Sequence, residues 1–433
     1  MPQTGLIENA HSDLVTDAAY DFYGLRLATC SLDQRIKVWA LDERQGTWSV
    51  EDDWKAHDAA ITKISWAHPE FGNIIASSSF DRTIKVWEQT SFADSDISAN
   101  VASGSSTASR WVERAVLVDA KGTVRAVEFS PHHFGLKMAT ISSDNHLRVY
   151  ECLEQPSLQT WQLAEEVDVQ SLPSRNPTKQ LMPQTVSLAT PTQTSSTLDG
   201  ASVTLAAHAV AQQQQQQQSQ TQSRPGLGNR EADGGWCLNW CKDRYWGEIV
   251  AVGCGVNGIV KIIQVSNAQR PATLLVLDPS PPSRATGGEG TPRTPAQPDG
   301  ESPAPYSVTS VAWAPSCGRS YHLVATGSRD GHVRIWRVKP PTPMDDGDHE
   351  DVDADEGSWT ASIVGDFDDH KSAIGRVEWN ITGTVLSSSG NDGRVRLWKA
   401  TAGNVWRPAG HISVEQAEEQ QNDVEMDDNA VQE

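Results

Sequence analysis

The stretch from His57 to Trp87 decides the fold: Ile61-Thr62-Lys63-Ile64-Ser65-Trp66, then Ile74-Ile75-Ala76-Ser77-Ser78-Ser79, the turn Phe80-Asp81-Arg82-Thr83, and Ile84-Lys85-Val86-Trp87. Apolar and polar residues alternate within each run, the period of a β-strand, and Asp and its neighbours tolerate the dihedrals of a tight turn. The pattern returns at the far end of the chain as His370, Ile374 to Trp379, Val385 to Ser389, Asn391-Asp392-Gly393 and Val395-Arg396-Leu397-Trp398. Working outward, a first copy runs from His11 through Ala28-Thr29-Cys30-Ser31 and Asp33 to Trp39. A third runs from Val124 through Ala139 to Ser143, Asp144 and Tyr150, and a fifth from Val308 through Val324 to Ser328, Asp330 and Trp336. The fourth is degenerate: Cys237 to Trp240, Ile249 to Gly253 and Ile259 to Ile263, with no closing Trp.

A single sheet of this kind cannot bury its two faces. Radial repetition covers each face with the next copy and leaves only short outer edges, so the expected fold is all-β, a six-bladed propeller. The aromatic usage agrees. Of the aromatic residues 16 are Trp against 7 Phe and 6 Tyr, a skew that calls for an architecture consuming Trp at regular positions.

The formal net charge of -21 is concentrated rather than spread. Asp345 to Glu356 and Glu415 to Glu433 hold about eight carboxylates each, with no Lys or Arg, which leaves roughly -5 for everything else. With no basic cluster to release counterions from a phosphate backbone, direct nucleic-acid binding is not expected. The six cysteines are scattered through a long chain and read as reduced thiols of an intracellular protein. No apolar run reaches the length of a membrane span or a signal segment, so any membrane contact is expected to be indirect. There is no P-loop, nucleophile elbow or zinc helix, so no catalytic, cofactor-binding or metal-ligating residue is assigned. The Cys237 and Cys241 pair, the nearest approach to a metal motif, sits on an alternating strand without a second ligand pair and reads as buried packing.

Residues 1–410 are expected to form the propeller, interrupted by low-complexity insertions at about 170–233 (with the poly-Gln run Gln212 to Gln218), 279–305 and 341–358, and followed by an acidic disordered tail over 411–433. Disorder is expected beyond about Val169. Thr47 to Trp54 offers the first blade a fourth strand, and Asn404 to Arg407 offers one to the last. Every blade is then self-supplied, and the ring is expected to stand open between the first and sixth. The competing expectation is that Gly5 to Glu8 pairs outside the sixth blade and closes it.

The repeats resemble those of WD-repeat proteins, in which a loop His, a strand Ser or Thr, the turn Asp and the strand Trp form a buried hydrogen-bonded set. The resemblance places His57, Ser77 (or Ser79), Asp81 and Trp87 in such a set, and likewise His370, Ser387 (or Ser389), Asp392 and Trp398. Asp33 with Trp39, Asp144 with Tyr150, and Asp330 with Trp336 mark the same turn and strand in other blades. The third and fourth blades lack part of the set and are expected to pack more weakly. Because the constellation recurs from blade to blade, its His and Asp residues read as structural.

Two further signatures narrow the family. Asp17-Ala18-Ala19-Tyr20-Asp21-Phe22-Tyr23-Gly24 and Trp66-Ala67-His68-Pro69-Glu70-Phe71-Gly72 resemble the small propellers shared by the COPII outer coat and the nuclear pore Y-shaped complex. Ser130-Pro131-His132-His133-Phe134-Gly135 and Trp379-Asn380-Ile381-Thr382-Gly383-Thr384 are similar to the Seh-type nucleoporins among them. That resemblance implies a non-catalytic scaffold at the nuclear envelope, completed by a blade from an α-solenoid nucleoporin and associated with other Y-complex subunits. It also implies a second assembly, a coat-like complex at the vacuole or lysosome that regulates TOR signalling. The alternatives are the COPII coat propeller itself and a general WD-repeat peptide-binding adaptor.

Overall fold

Blade 1 comprises β1 (Val15–Tyr20), β2 (Arg26–Ser31), β3 (Arg35–Asp42) and β4 (Thr47–Lys55), each strand antiparallel to the next. Blade 2 has β5 (Ile61–Trp66), β6 (Ile74–Ser79), β7 (Ile84–Gln89) and β8 (Trp111–Leu117); blade 3 has β9 (Val124–Phe129), β10 (Lys137–Ser142), β11 (His146–Cys152) and β12 (Trp161–Asp168). Blade 4 is β13 (Gly235–Trp240), β14 (Ile249–Gly255), β15 (Val260–Ser266) and β16 (Gln269–Leu277). Blade 5 is β17 (Val308–Trp313), β18 (His322–Ser328), β19 (Val333–Lys339) and β20 (Thr360–Phe367), and blade 6 is β21 (Ile374–Trp379), β22 (Val385–Gly390), β23 (Arg394–Ala400) and β24 (Trp406–Ser413). This computed structural model describes residues 7–90, 111–155, 157–173, 234–266, 269–279, 306–341 and 358–413. The propeller is one of two units of the chain; the other, residues 176–233, lies outside the described residues. So do the poly-Gln run, the acidic stretch Asp345 to Glu356 and the acidic tail from residue 414. Of Gly5 to Glu8 only Ile7 and Glu8 are described, and they belong to no strand.

The six sheets each contain four strands that are consecutive in the chain. No described blade borrows a strand from the opposite terminus. At the last blade the strand is longer than the sequence predicts: β24 begins at Trp406 and continues to Ser413, past both the Asn404 to Arg407 segment and the residue 410 boundary, because Arg394 to Ala400 offers it a pairing edge along its whole length. Order also runs past Val169, which is itself buried, with Lys261 Nζ donating to the Val169 and Gln170 carbonyls and the Thr273 amide to that of Pro173.

Burial shows how the sheets are stacked. The second strands β6, β10 and β18 are buried at every residue, as strands covered on both faces must be. In β22 burial alternates instead: Leu386 and Ser388 are buried, while Val385, Ser387 and Ser389 are only half covered. The apolar core accordingly falls into five clusters, each shared by two successive blades, from Ala28, Ile36 and Trp87 between blades 1 and 2 to Ala325, Leu386 and Trp398 between blades 5 and 6. Among the described residues no such cluster joins blade 6 to blade 1. Blades 3 and 4, expected to pack weakly, do not: β10 is buried throughout, β14 up to its last residue, and Trp240 is fully buried between them.

A one-sided sheet makes a direct prediction. Leu386→Ala, on the covered face of blade 6, is expected to cost about 2–5 kcal/mol in chemical denaturation, whereas Val395→Ala on the other face costs under about 1 kcal/mol. Equal losses would show that both faces are covered.

Candidate functional site

In blade 2 the loop His57 and the turn Asp81 close over β6. His57 Nε2 lies 2.8 Å from Ser77 Oγ, its Nδ1 lies 2.8 Å from Asp81 Oδ2, and Trp87 Nε1 donates to Ser77 Oγ at 2.9 Å. Since Trp87 fills an acceptor position on Ser77, the hydroxyl proton goes to Nε2, and Nδ1–H points at Asp81. Burial alone would raise the Asp81 carboxyl, but hydrogen bonds from His57 and Thr83 hold it well below the usual carboxylate range. Hydroxyl, imidazole and carboxylate stand in the order of a nucleophilic triad. Yet Ser77 is fully buried with Trp87 on its oxygen, and the same arrangement recurs elsewhere, so no substrate reaches it. These are clamps on the turn between the second and third strands.

Blade 6 repeats the clamp with one correction. His370 Nε2 and Trp398 Nε1 both bond Ser388 Oγ at 2.8 Å, and His370 Nδ1 lies 3.0 Å from Asp392. Neither Ser387 nor Ser389 takes part: Ser387 donates to the Glu378 carbonyl on the opposite face of the sheet, where strand alternation places both. In blade 2 likewise Ser79 is not in the set; it donates to the Ala59 and Ala60 carbonyls. The missed signal is a fixed interval, because the hydroxyl residue stands 10 positions before the Trp in every blade that has the bond.

The same interval reveals a third complete set that motif matching passed over. His11 bonds Thr29 Oγ1 at 2.8 Å and Asp33 at 2.9 Å, and Trp39 Nε1 donates to Thr29 at 2.9 Å. In blades 3 and 5 an arginine replaces the histidine. Arg148, fully buried, donates to Ser142 at 2.7 Å and to Asp144 at 2.8 Å, while Tyr150 turns its hydroxyl to Asp119. Arg334 likewise joins Ser328 and Asp330, and Trp336 donates to Thr326 at 3.0 Å. An arginine in the strand thus does the work of a histidine in the loop, which is why the loss of His does not loosen blade 3.

Cys237 and Cys241 are buried in the cluster between blades 4 and 5, and desolvation pushes both thiols up to about 12. The described residues hold no grouping of three or more metal-ligating side chains.

The surface that these clamps leave unused is the seam between blades 6 and 1. In blades 2, 5 and 6 the closing Trp belongs to the cluster shared with the preceding blade, whereas Trp39 of blade 1 faces the seam. By register Tyr20, Leu27, Trp39, Trp48 and Val50 share that face of blade 1, and Val385, Ser387, Val395 and Leu397 share the facing side of blade 6. Leu14 (71% exposed), Phe22 (65%) and Tyr23 (68%) are exposed elsewhere on blade 1, Phe22 lying edge-on to His68 on the blade 2 side. Among the described residues the hydrogen bonds across the seam are those of one side chain. Arg376 Nη1 reaches Asp17 Oδ1 at 2.6 Å and the Ala18 carbonyl at 2.7 Å, and Asp17 also receives Lys63 Nζ and the Ile64 amide. Burial disfavours the Arg376 charge, but Asp17 and Glu378 outweigh that and raise its pKa. The ring is therefore pinned at its inner edge, while farther out Tyr20 and Val50 of blade 1 and Val395 of blade 6 are exposed, although Trp39 between them is buried.

The WD domain, G-beta repeat family matches residues 4–40, 48–88, 301–337 and 361–399, which are the four blades that keep the closing Trp. Nucleoporin SEH1 of Saccharomyces cerevisiae is 32% identical over 435 residues, spanning 94% of this chain and 99% of that protein. Nucleoporin seh1 of Schizosaccharomyces pombe is 31% identical, spanning 95% and 97%, and human nucleoporin SEH1 is 31% identical, spanning 92% and 85%. The chain belongs to the SEH1 nucleoporin family. It is a WD-repeat propeller of that family and not an enzyme.

Two tests follow for this SEH1-family propeller. Ser388→Ala leaves buried His370 Nε2 and Trp398 Nε1 without a partner and is expected to cost about 1–3 kcal/mol, against less than about 0.5 kcal/mol for Ser387→Ala; the reverse order in thermal denaturation would contradict the assignment. The second concerns His322, buried among Trp246, Trp313 and Trp359. Burial lowers its pKa, with nearby Arg319 in the same direction and Asp243 opposing. The unfolded chain then binds the proton more tightly, so this contribution to stability is present above about pH 6.5 and is lost as pH falls below it. His322→Phe is expected to flatten the stability profile between pH 7 and pH 5, and an unchanged slope would refute the role.

Proposed function

We propose that the chain is a non-catalytic scaffold subunit of the outer-ring, Y-shaped coat of the nuclear pore, and that an α-solenoid nucleoporin completes its ring by inserting a blade between blades 1 and 6. The observation that carries this reading is the apolar core, with clusters at five successive blade interfaces and none among the described residues at the sixth. A sheet offered by a partner gains two faces at once: Leu27, Trp48 and Val50 on one side, Val385, Val395 and Leu397 on the other. Covering such surface at about 25 cal/mol per Å² is a large driving force. It matches the absence of a borrowed strand among the described residues, since a blade supplied from the chain's own terminus would occupy the same place.

The named relatives are nucleoporins, which favours the pore over the COPII coat. On this reading the protein sits at the nuclear envelope with other Y-complex subunits, touches the membrane only through them and binds no nucleic acid directly. The coat-like complex of the vacuole or lysosome, with its TOR signalling role, would use the same seam.

Charge placed on the seam tests the proposal. The double variant Val395→Asp with Val50→Asp, both positions already exposed, is expected to shift thermal unfolding by no more than a few degrees and to abolish stoichiometric co-purification of the α-solenoid nucleoporin. Retention of that partner at full stoichiometry would overturn the inserted-blade reading.

A further inference from the structure

The turn between the second and third strands is built the same way in five blades. Two residues after the second strand stands an aspartate, Asp33, Asp81, Asp144, Asp330 or Asp392, and the residue after it has a positive φ. Two hydrogen bonds hold each of these turns. The aspartate Oδ1 accepts the amide two residues on, from Arg35, Thr83, His146, His332 and Arg394 at 2.9 to 3.2 Å. The amide of the residue in between donates to the carbonyl three residues back, as Arg82 does to Ser79 and Gly393 to Gly390, both at 3.2 Å.

Blade 4 keeps the backbone shape and loses both bonds. Gly258, with a φ of 69°, takes the positive-φ place, but the residue before it is Asn257. Among the described residues neither the Ile259 amide nor the Gly258 amide makes the corresponding bond, and the exposed Asn257 side chain makes none. Asn257 and Gly258 are the chain's one Asn-Gly pair. The groups left free are the two that react with each other in such a pair: the side-chain amide carbon, and the following main-chain nitrogen with no Cβ beside it to shield it.

Four residues after the turn position every blade carries a cation. In blades 3, 5 and 6 it is an arginine paired with the turn aspartate, Arg148 at 2.8 Å, Arg334 at 3.0 Å and Arg396 at 3.3 Å. In blade 4 it is Lys261, which lines a cleft of about 110 Å³ together with Asn257 and donates to the Val169 and Gln170 carbonyls. Burial lowers the Lys261 pKa, with Cys254 and Asp168 opposing, so a carboxylate at position 257 would favour its charge.

We propose that Asn257 is a site of spontaneous deamidation, and that the aspartate formed gives blade 4 the turn carboxylate that the other five blades encode. The Gly258 nitrogen attacks the Asn257 side-chain carbonyl carbon. A new N–C bond forms, the bond to the side-chain nitrogen breaks, and that nitrogen takes the Gly258 amide proton and leaves as ammonia. Water then opens the cyclic imide. Cleavage of the new N–C bond restores the main chain and leaves an aspartate, whose Oδ1 takes up the Ile259 amide and whose charge shares the cleft with Lys261. Cleavage on the main-chain side leaves an isoaspartate, with one methylene added to the main chain, which cannot form that turn. Water enters and ammonia leaves, with no oxidant or reductant required. The chain is therefore made in an amide form and gathers an acid form with age, independently of the seam.

The experiment ages the purified full chain at neutral and at mildly alkaline pH, digests it at acidic pH, where the reaction is slow, and follows Asn257 by mass spectrometry beside Asn239 and Asn380. Both of those side chains are hydrogen-bonded. The amide-to-acid mass gain is expected severalfold faster at Asn257 than at either, faster at the higher pH because the attacking nitrogen gives up its proton, and carrying heavy oxygen when the ageing is done in labelled water. Asn257→Gln, which leaves the glycine in place, is expected to abolish it, and Gly258→Ala to slow it severalfold. Asn257→Asp, which encodes the product, is expected to raise the thermal midpoint by about 1–3 °C. An Asn257 that keeps its amide as long as Asn239 does would overturn the site. An Asn257→Asp chain no more stable than the unaged one would overturn the role given to the product.

Discussion

A β-sheet of this kind is stable only when both of its faces are covered, and in this chain each blade depends on its neighbours for that cover. The clusters between successive blades supply it, with Ile, Val and Trp from one sheet set against those of the next. Everything else is arranged around this dependence. The clamps built on Asp33, Asp81 and Asp392 fix the turn between the second and third strands of blades 1, 2 and 6. The bulges on the innermost strands then turn the chain so that the threonine hydroxyls lace adjacent blades at the axis.

The constraint fails at one place. Since each described blade takes its four strands from one contiguous stretch, no described strand from one end of the chain joins the blade at the other, and among the described residues blades 1 and 6 meet through Arg376 and Asp17. An ion pair with a buried carboxylate can hold position at the axis, but it provides no substitute for apolar cover over two sheet faces. Half-covered Val385 and Leu397 and exposed Val395 are what the missing cover looks like on blade 6.

Most of the fold was legible in the sequence because period-2 alternation, turn Asp and closing Trp recur at nearly constant spacing. The parts that were not legible have identifiable causes. Ser387, Ser388 and Ser389 are chemically identical, and only the interval to Trp398 tells which one faces His370. Arg148 and Arg334 could not be recognised as stand-ins for a loop histidine, because their equivalence lies in where the guanidinium arrives and not in where the residue sits in the repeat. Thr29 and His11 form a full set with Asp33 and Trp39, which only the interval of 10 residues between the hydroxyl and the Trp singles out from neighbouring Ser31. The far end of β24 carries little apolar patterning of its own, and its length is dictated by β23.

The account turns on whether the seam faces are uncovered in the free chain and covered in its assembly. Hydroxyl-radical footprinting of the purified chain, alone and with the proposed α-solenoid nucleoporin, reads this side chain by side chain. The account predicts that Tyr20, Trp48 and Leu397 are oxidised in the free protein and protected in the complex, while Trp398 on the covered face of blade 6 stays unreactive in both. Protection of Tyr20, Trp48 and Leu397 in the free chain, or oxidation unchanged on adding the partner, would contradict it.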